Sequence, residues 1–286
     1  MRSLHVASLH VHPIKSLRGV AVDAATVDDL GLALDRRWML VDDGGVFLTQ
    51  REDPSMTLLR TSLLPALGKD ARSAAVAHTV RVHAPSGETL DVAPPPPDAR
   101  RRRVRIWAHE VLAADYPADV DAWFSEALGR TCHLTWLPED SRRPVDDPHA
   151  TPTDRAAFGD AFPVLVATQA SLDDLNARLA ARGEPAVSME RFRPNLVVAG
   201  DAAPYAEDAW GRVWASDVVL DLVKPCARCA MTTVDPDSAR SGAEPLRTLA
   251  GYRKVGSKVL FAQNALVRAG GVLRVGDPVR VAGAAP

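Results

Sequence analysis

Apolar residues in the first third of the chain recur mostly at every second position, and that alternation predicts strands. Leu4, Val6, Leu9 and Val11 alternate with a one-residue slip, which predicts a strand carrying a bulge. Trp38–Val41, the turn Asp42-Asp43-Gly44-Gly45 and Val46–Leu48 read as a hairpin with glycine placed for positive φ. A second strand pair spans Val80 to Val92 around Pro85-Ser86-Gly87. Pro94–Pro97 favours an extended surface segment. The run Arg100–Arg103 reads as a solvated loop feeding the strand Val104–Trp107, in preference to a site for an acidic partner. Later strands are expected at Pro163–Ala167, Leu196–Ala199, Val218–Val223 and Gly271–Val281.

Three segments switch to helical spacing. Asp119 is placed to cap Val120–Leu128, with Val120, Trp123, Phe124, Ala127 and Leu128 on one face and Gly129 as the stop. Ser171–Leu179 opens with Ser171 and Asp174 in a capping-box variant and carries Leu172, Leu175 and Leu179 on one face. Glu244-Pro245 starts a short helix bearing Leu246 and Leu249, with proline at its first position. Pro138–Thr153, rich in Pro, Asp and Arg, reads as an exposed connection. The short helices and frequent turns predict a mainly β chain with a few short helices, of the α+β class.

Composition narrows the partners. The chain has 286 residues, 47% of them hydrophobic, enough for one large domain or two modest ones. A formal net charge of −2 gives no global pull toward nucleic acid or anionic lipid, so any anion site must be local. Three cysteines make no disulfide framework. The N-terminus lacks the unbroken apolar run of a signal peptide, and no stretch approaches the roughly 20 apolar residues of a membrane span. These features lead to the expectation of a soluble, reduced, cytoplasmic protein with neither a nucleic-acid nor a membrane partner. There is no dinucleotide-binding glycine loop, no phosphate-binding Walker loop and no internal repeat.

The candidate chemistry lies in Cys226-Ala-Arg-Cys229. Structural zinc commonly needs four protein ligands, and this is a single pair; Cys132-His133 are adjacent and no spaced histidine pair follows. A thioredoxin-type redox pair precedes a helix, whereas Ala230–Val234 reads as a β-like stretch. Two inert, half-buried thiols are a third reading. Lys224 and Arg228 flank the pair, and cationic neighbours favour a thiolate. A thiolate on a rigid strand beside anion-binding groups suits a soft transition metal.

A series of motifs then occurs in order: HPIKS (from His12), LDRRW (from Leu34), FLTQRE (from Phe47), RFRPNLVV (from Arg191), YAEDAW (from Tyr205), KPCARCAMTTVDPDS (from Lys224), EPLRTLAGYR (from Glu244) and GGVLRVGDPV (from Gly270). In these the chain resembles the MOSC-domain proteins that carry the MOSC N-terminal β-barrel domain. That group includes the YcbX-like proteins and the mitochondrial amidoxime reducing component. The resemblance covers nearly the whole chain. It implies an N-terminal MOSC β-barrel domain over 1–125 and a MOSC β-barrel domain over 126–286.

The resemblance also implies a pyranopterin molybdenum cofactor held between the two parts. Cys229 matches the position that ligates molybdenum; Cys226 matches a frequent cysteine that is not the ligand. One soft thiolate is enough, because the pterin dithiolene supplies two further sulfurs. Lys15, Ser16, Arg36, Arg193, Asn195 and Arg228 match cofactor-holding positions, with Pro194 expected to keep Arg193 extended. Asp160 matches an acidic residue near the metal, suited to orienting a water or delivering a proton. For each charged residue taken singly, a solvated surface charge is the plainer account.

The activity implied is reduction of N-hydroxylated compounds (amidoximes, hydroxylamines, N-hydroxylated bases) with electrons from a separate ferredoxin- or flavoprotein-like donor. Against some relatives, the chain shows no appended plant-type ferredoxin domain, no membrane anchor and no pyridoxal-phosphate domain. Two rivals stand beside this reading: a cofactor-binding or sulfur-handling protein without turnover of its own, and a zinc-binding or purely structural β-barrel protein.

Overall fold

The computed structural model describes residues 3–64 and 79–283, and everything below concerns those residues. Strands dominate, with α-helices at Ala118–Leu128, Gln169–Ala180 and Leu246–Ala250. This is the mainly β, α+β fold that the alternation predicts. No helix among the described residues is long and apolar enough to cross a membrane.

A nine-stranded sheet positions the site. Its order is Val279–Gly283, Trp210–Ala215, Val218–Arg228, Lys258–Ala269, Val164–Thr168, Leu196–Ala199, His5–Val11, Val20–Val22, with Lys254–Val255 paired onto the Lys258 strand. Val164–Thr168 and Leu196–Ala199 are parallel, and the helix Gln169–Ala180 supplies the crossover such a pair requires. The first strand pairs antiparallel with Leu196–Ala199, and Ala24–Asp28 pairs with Gly271–Arg274. The beginning of the chain is therefore stitched into a sheet built by its second half. That stitching brings residues near 15 and 36 beside residues near 193 and 228. Register on His5–Val11 shifts between Val6 and Ser8, where the slip in alternation places a bulge.

A four-stranded sheet runs Trp38–Val41, His133–Trp136, His109–Asp115, Arg101–Ile106. A three-stranded meander, Arg60–Leu64, Thr79–His83, Thr89–Val92, turns at Gly87 with φ 93°. Inward positions of several sheets, among them Val6, Leu9, Trp38, Val82 and Leu220, share one core.

Several boundaries differ from expectation, each for a local reason. The arginine run is not a loop. The strand begins at Arg101 and ends at Ile106, leaving Trp107 in the turn. It lies at the edge of its sheet, where charges on the outer face also guard against unwanted pairing. Val46–Leu48 is a strap rather than a full strand, bridged to both Val41 and Arg105. Pro117, not Asp119, occupies the cap of the first helix; Asp119 sits in the first turn, where its charge still suits the helix dipole. Gly129 ends that helix at φ 63°, as its sequence suggests.

The second helix is capped by Thr168, whose hydroxyl accepts the Ser171 N–H at 3.2 Å; the Ser171 hydroxyl is spent on buried Glu207 at 2.7 Å. Its face of Leu172, Leu175 and Leu179 is buried as expected. Pro245 holds the cap, not the first turn, of the third helix. Gly271–Val281 divides into two strands around Gly276, at φ 93°. Within Pro138–Thr153, Ser141, Arg143 and Val145 are buried, because Arg143 turns inward to serve backbone carbonyls.

Candidate functional site

A cleft of about 300 Å³ brings together Lys15, Ser16, Arg36, Asp160, Arg193, Asn195, Arg228 and Cys229, with Cys226 and Arg51 beside them. These are all the positions singled out in the sequence. The volume is at the lower end of the range for small-molecule sites.

The N-terminal wall is a loop pinned by the Lys15 N–H on Trp38 O at 2.8 Å and the Arg36 N–H on His12 O at 2.8 Å. Ser16, Arg36 and Arg193 have left-handed backbones, at φ 69°, 50° and 53°. That conformation costs a residue bearing a Cβ about 1–2 kcal/mol. Strain gathered around one cleft is a mark of function.

Arg193 overturns an expectation. Pro194 does not keep it extended; Arg193 is the left-handed cap of the short turn Met189–Phe192, its N–H donating to Glu190 O. Proline disfavours the right-handed conformation before it. The turn therefore closes through the left-handed one. The side chain then donates to Leu17 O at 2.7 Å. Arg36 donates to the Asp35 carboxylate, to Asn195 Oδ1 at 3.2 Å and to Arg193 O at 3.1 Å. Asn195 also donates to His10 O at 3.2 Å and accepts the Leu165 N–H at 3.1 Å. Its amide thus ties the first strand to the sheet as well as facing the cleft.

The opposite wall is the end of Val218–Arg228. Buried alternation holds at Val218, Leu220 and Leu222 and stops where the strand leaves the core at Lys224. Register shifts against Lys258–Ala269 accompany that exit. Bulges of this kind re-aim side chains near functional sites. Arg228 donates to Cys226 Sγ at 2.9 Å and to Phe192 O at 2.8 Å, while its buried Nε has no partner.

Cys229 caps a 3-10 turn over Ala230–Thr233, not the expected β-like stretch, because Thr232 turns its N–H back onto Cys229 O at 3.1 Å. Both thiols are free, and Cys229 leads into a four-residue 3-10 turn rather than the helix N-terminus that serves a thioredoxin-type redox pair. No group of three or more His, Cys, Asp and Glu suited to a metal occurs among the described residues.

Two arginines central to the site are missing from the sequence reading. Arg51 donates from Nε to Cys229 Sγ at 3.2 Å and from its fork to Asp160 Oδ2 at 2.6 Å. It lies within FLTQRE, so its motif was visible although its role was not. Arg143 donates to the carbonyls of Ala157, Gly159 and Asp160 at 2.7, 2.5 and 2.8 Å, shaping the loop that presents Asp160. The connection around it gave no such signal.

Cations dominate the electrostatics. Lys15 is buried, and burial lowers its pKa to about 8; Arg143 and Arg51 push the same way, while Asp160 at 2.5 Å opposes them. Burial also lowers Arg193, to about 9, with Arg36 adding to the effect. Desolvation raises the Asp160 carboxyl, but Lys15 and Arg51 outweigh it and hold the group well below the usual carboxylate range. Its side chain is 47% exposed, at the open side of the cleft. Buried His12 is kept neutral by desolvation and by Arg36 and Arg193, and its Nδ1 has no partner.

The cleft thus sets two thiols among arginines and a lysine where the first and second halves of the chain meet, and comparison with known proteins gives the class. The MOSC N-terminal beta barrel domain matches residues 3–131 and the MOSC domain matches residues 153–280. The chain belongs to the MOSC-domain family in this two-part form. Mitochondrial amidoxime-reducing component 1 of Mus musculus is 33% identical over 97% of this chain and 82% of that protein. Its Homo sapiens counterpart is 32% identical over 97% and 83%. The molybdenum cofactor sulfurase of Oryza sativa subsp. japonica is 30% identical over 90% of this chain but only 32% of that protein.

Proposed function

We propose that the protein is a molybdenum-cofactor-dependent oxidoreductase that reduces N-hydroxylated compounds. The observation that carries this reading is a soft thiol, Cys229, sharing a cleft with Lys15, Arg36, Arg51, Arg193 and Arg228. The residues fit the cofactor. Those five cations face the carboxylates of Asp35 and Asp160, an excess suited to an anionic phosphate. The buried Arg228 Nε has no protein partner. The zinc alternative lacks a set of ligands among the described residues.

In this reading Cys229 is the single protein thiolate for the metal. Lys15, Arg36, Arg193 and Arg228 hold the phosphate and pterin, with the Ser16 hydroxyl and the Asn195 amide as polar contacts. When bound, the cofactor supplies the two-electron change that removes oxygen from an N-hydroxy group. In the overall reaction the N–O bond breaks, an N–H bond forms, and the oxygen leaves as water after uptake of two protons and two electrons.

Asp160, held ionised by Lys15 and Arg51, orients donors at the cleft mouth and is a poor proton donor at neutral pH. Lys15, with its pKa near 8, is the better poised proton source. The chain's own residues offer no dinucleotide loop, and its three cysteines fall short of the four thiolates of a plant-type iron–sulfur cluster. Both facts support electrons arriving from a separate ferredoxin- or flavoprotein-like donor.

The sulfurase relative favours a second reading, a cofactor-binding or sulfur-handling protein without turnover. An assay of the molybdenum-loaded chain with an amidoxime separates the two. Turnover is expected with a chemical reductant, none with NADH alone, and recovery when a ferredoxin and its reductase are added. Failure with every reductant supports the second reading. Steady turnover with NADH alone contradicts the separate donor.

A further inference from the structure

Trp107 is in the wrong place for an ordinary surface tryptophan. It is 45% exposed and holds a left-handed backbone at φ 54°. It is the first residue of the two-residue turn between Ile106 and His109, which pair across the hairpin. Such turns favour Gly, Asn or Asp at a position of positive φ, and for a bulky residue that conformation is a true outlier.

The ring is used elsewhere. It packs on Phe47 with centroids 4.8 Å apart, and the Arg51 guanidinium lies over it at 4.8 Å. Arg51 in turn reaches Cys229 Sγ at 3.2 Å, Asp160 Oδ2 at 2.6 Å and Thr49 Oγ1 at 3.4 Å. Arg51 lines the cleft, and Trp107 stands behind it as a flat backing. One guanidinium thus links the thiol, the carboxylate and a strained aromatic from three distant parts of the chain.

We propose that Arg51 is a positioning residue for the Cys229 sulfur and the Asp160 carboxylate, and that Trp107 is kept in its strained turn to fix the plane of Arg51. This rests on the reading of Cys229 as the metal's thiolate. A hydrogen bond to a ligating sulfur orients it and tunes the metal it holds. The fork matters, because a lysine ammonium lacks the rigid geometry that serves both acceptors at once.

The test uses full-length protein with molybdenum content, the Mo(V) electron paramagnetic resonance spectrum, kinetics, and melting of the cofactor-free form as readouts. Arg51→Lys is expected to keep molybdenum near the wild-type level, to shift the Mo(V) g values and to lower kcat roughly tenfold or more with KM little changed. Trp107→Gly is expected to melt no lower than wild type, because glycine suits φ 54°, yet to shift the g values in the same direction. That shift should vanish when Arg51→Ala is already present. Molybdenum-loaded variants with unchanged spectra and kcat overturn this inference while leaving the functional reading intact. A drop in melting temperature for Trp107→Gly with an undisturbed site makes Trp107 a packing residue and also overturns it. A wild-type protein without molybdenum overturns the functional reading and this inference together.

Discussion

Two regions of the molecule are rich in arginine, and they use it in opposite ways. In and beside the strand Arg101–Ile106, every arginine of the run meets a carboxylate: Arg101 pairs with Asp140, Arg103 with Glu110, and Arg102 and Arg100 share Asp115. Arg101 and Arg103 are exposed and their pairs sit in water. In the cleft, Arg36, Arg51, Arg193 and Arg228 spend their donors on backbone carbonyls, an amide and two sulfurs, with few carboxylates available. The first region meets most of its arginines with carboxylates in open water. The second has few carboxylates for its cations, and on the proposed reading a bound anion completes it. The contrast teaches that charge density along the sequence is a poor guide to an anion site; unbalanced charge in a shielded space is a better one.

The comparison breaks most sharply at Cys229. Cys229→Ala should abolish turnover and release molybdenum, since no neighbouring group replaces a thiolate there. Cys226→Ala should keep most of the metal, because its sulfur accepts only from Arg228 and is not assigned to the metal. Metal analysis of the two variants decides, and the reverse pattern would mean the wrong cysteine has been chosen.

Removing one cleft arginine comes next in size. Arg36→Ala or Arg193→Ala each loses a charge-assisted contact to the anion, worth roughly 1.5–3 kcal/mol in a site shielded from water. Cofactor retention should fall accordingly, by about 10- to 100-fold. Melting of the cofactor-free protein should move little for Arg193→Ala, because relief of repulsion from Arg36 offsets the lost carbonyl bond, and should fall for Arg36→Ala, which leaves the buried Asp35 carboxylate without its cation. A large drop for Arg193→Ala would show that Arg193 holds the fold instead.

A pH series sharpens the same contrast. With its pKa lowered to about 8 from 10.5, folded Lys15 binds fewer protons than unfolded Lys15 between those values. This group therefore makes the cofactor-free protein more stable as pH rises across that window. Capture of the anionic cofactor should weaken over the same window, as the ammonium is lost. Asp160→Asn removes the neighbour that raises Lys15 and should move the decline to lower pH. Binding titrations across the window check this; a decline that begins only near 10.5 contradicts it. The smallest effect is expected outside the cleft. Arg103→Ala breaks an exposed pair worth about 0–1 kcal/mol and should leave cofactor retention unchanged. Weakened retention there would erase the distinction between the two regions.

The same two regions show how much was legible in the sequence. Alternation located about half of the strands, and the slip at Val6 located a bulge, because a half-buried strand writes its period into its residues. The twelve-residue strand Lys258–Ala269 was missed. Its middle, Phe261–Ala265, is buried on both faces apart from the partly buried Asn264, so alternation is lost, and its Ala, Gln and Asn are weak strand formers. The cleft positions were legible only as scattered motifs, since residues near 15, 36, 193 and 228 meet through long-range pairing that no local period encodes. Arg51 and Arg143 went unread for a related reason. Their roles depend on what lies across the cleft or beneath the loop, and neither Cys229 nor the Asp160 carbonyl is near them in sequence.

The central claim is that Cys229 and its surrounding cations hold a molybdenum cofactor. Its most direct test is metal and pterin analysis of the protein purified from a host that makes this cofactor, with Cys229→Ala prepared alongside. The account predicts molybdenum and pterin in roughly equal amounts, near one of each per chain, and their loss in the variant. Zinc in the wild-type protein, or molybdenum retained equally without the Cys229 sulfur, would contradict it.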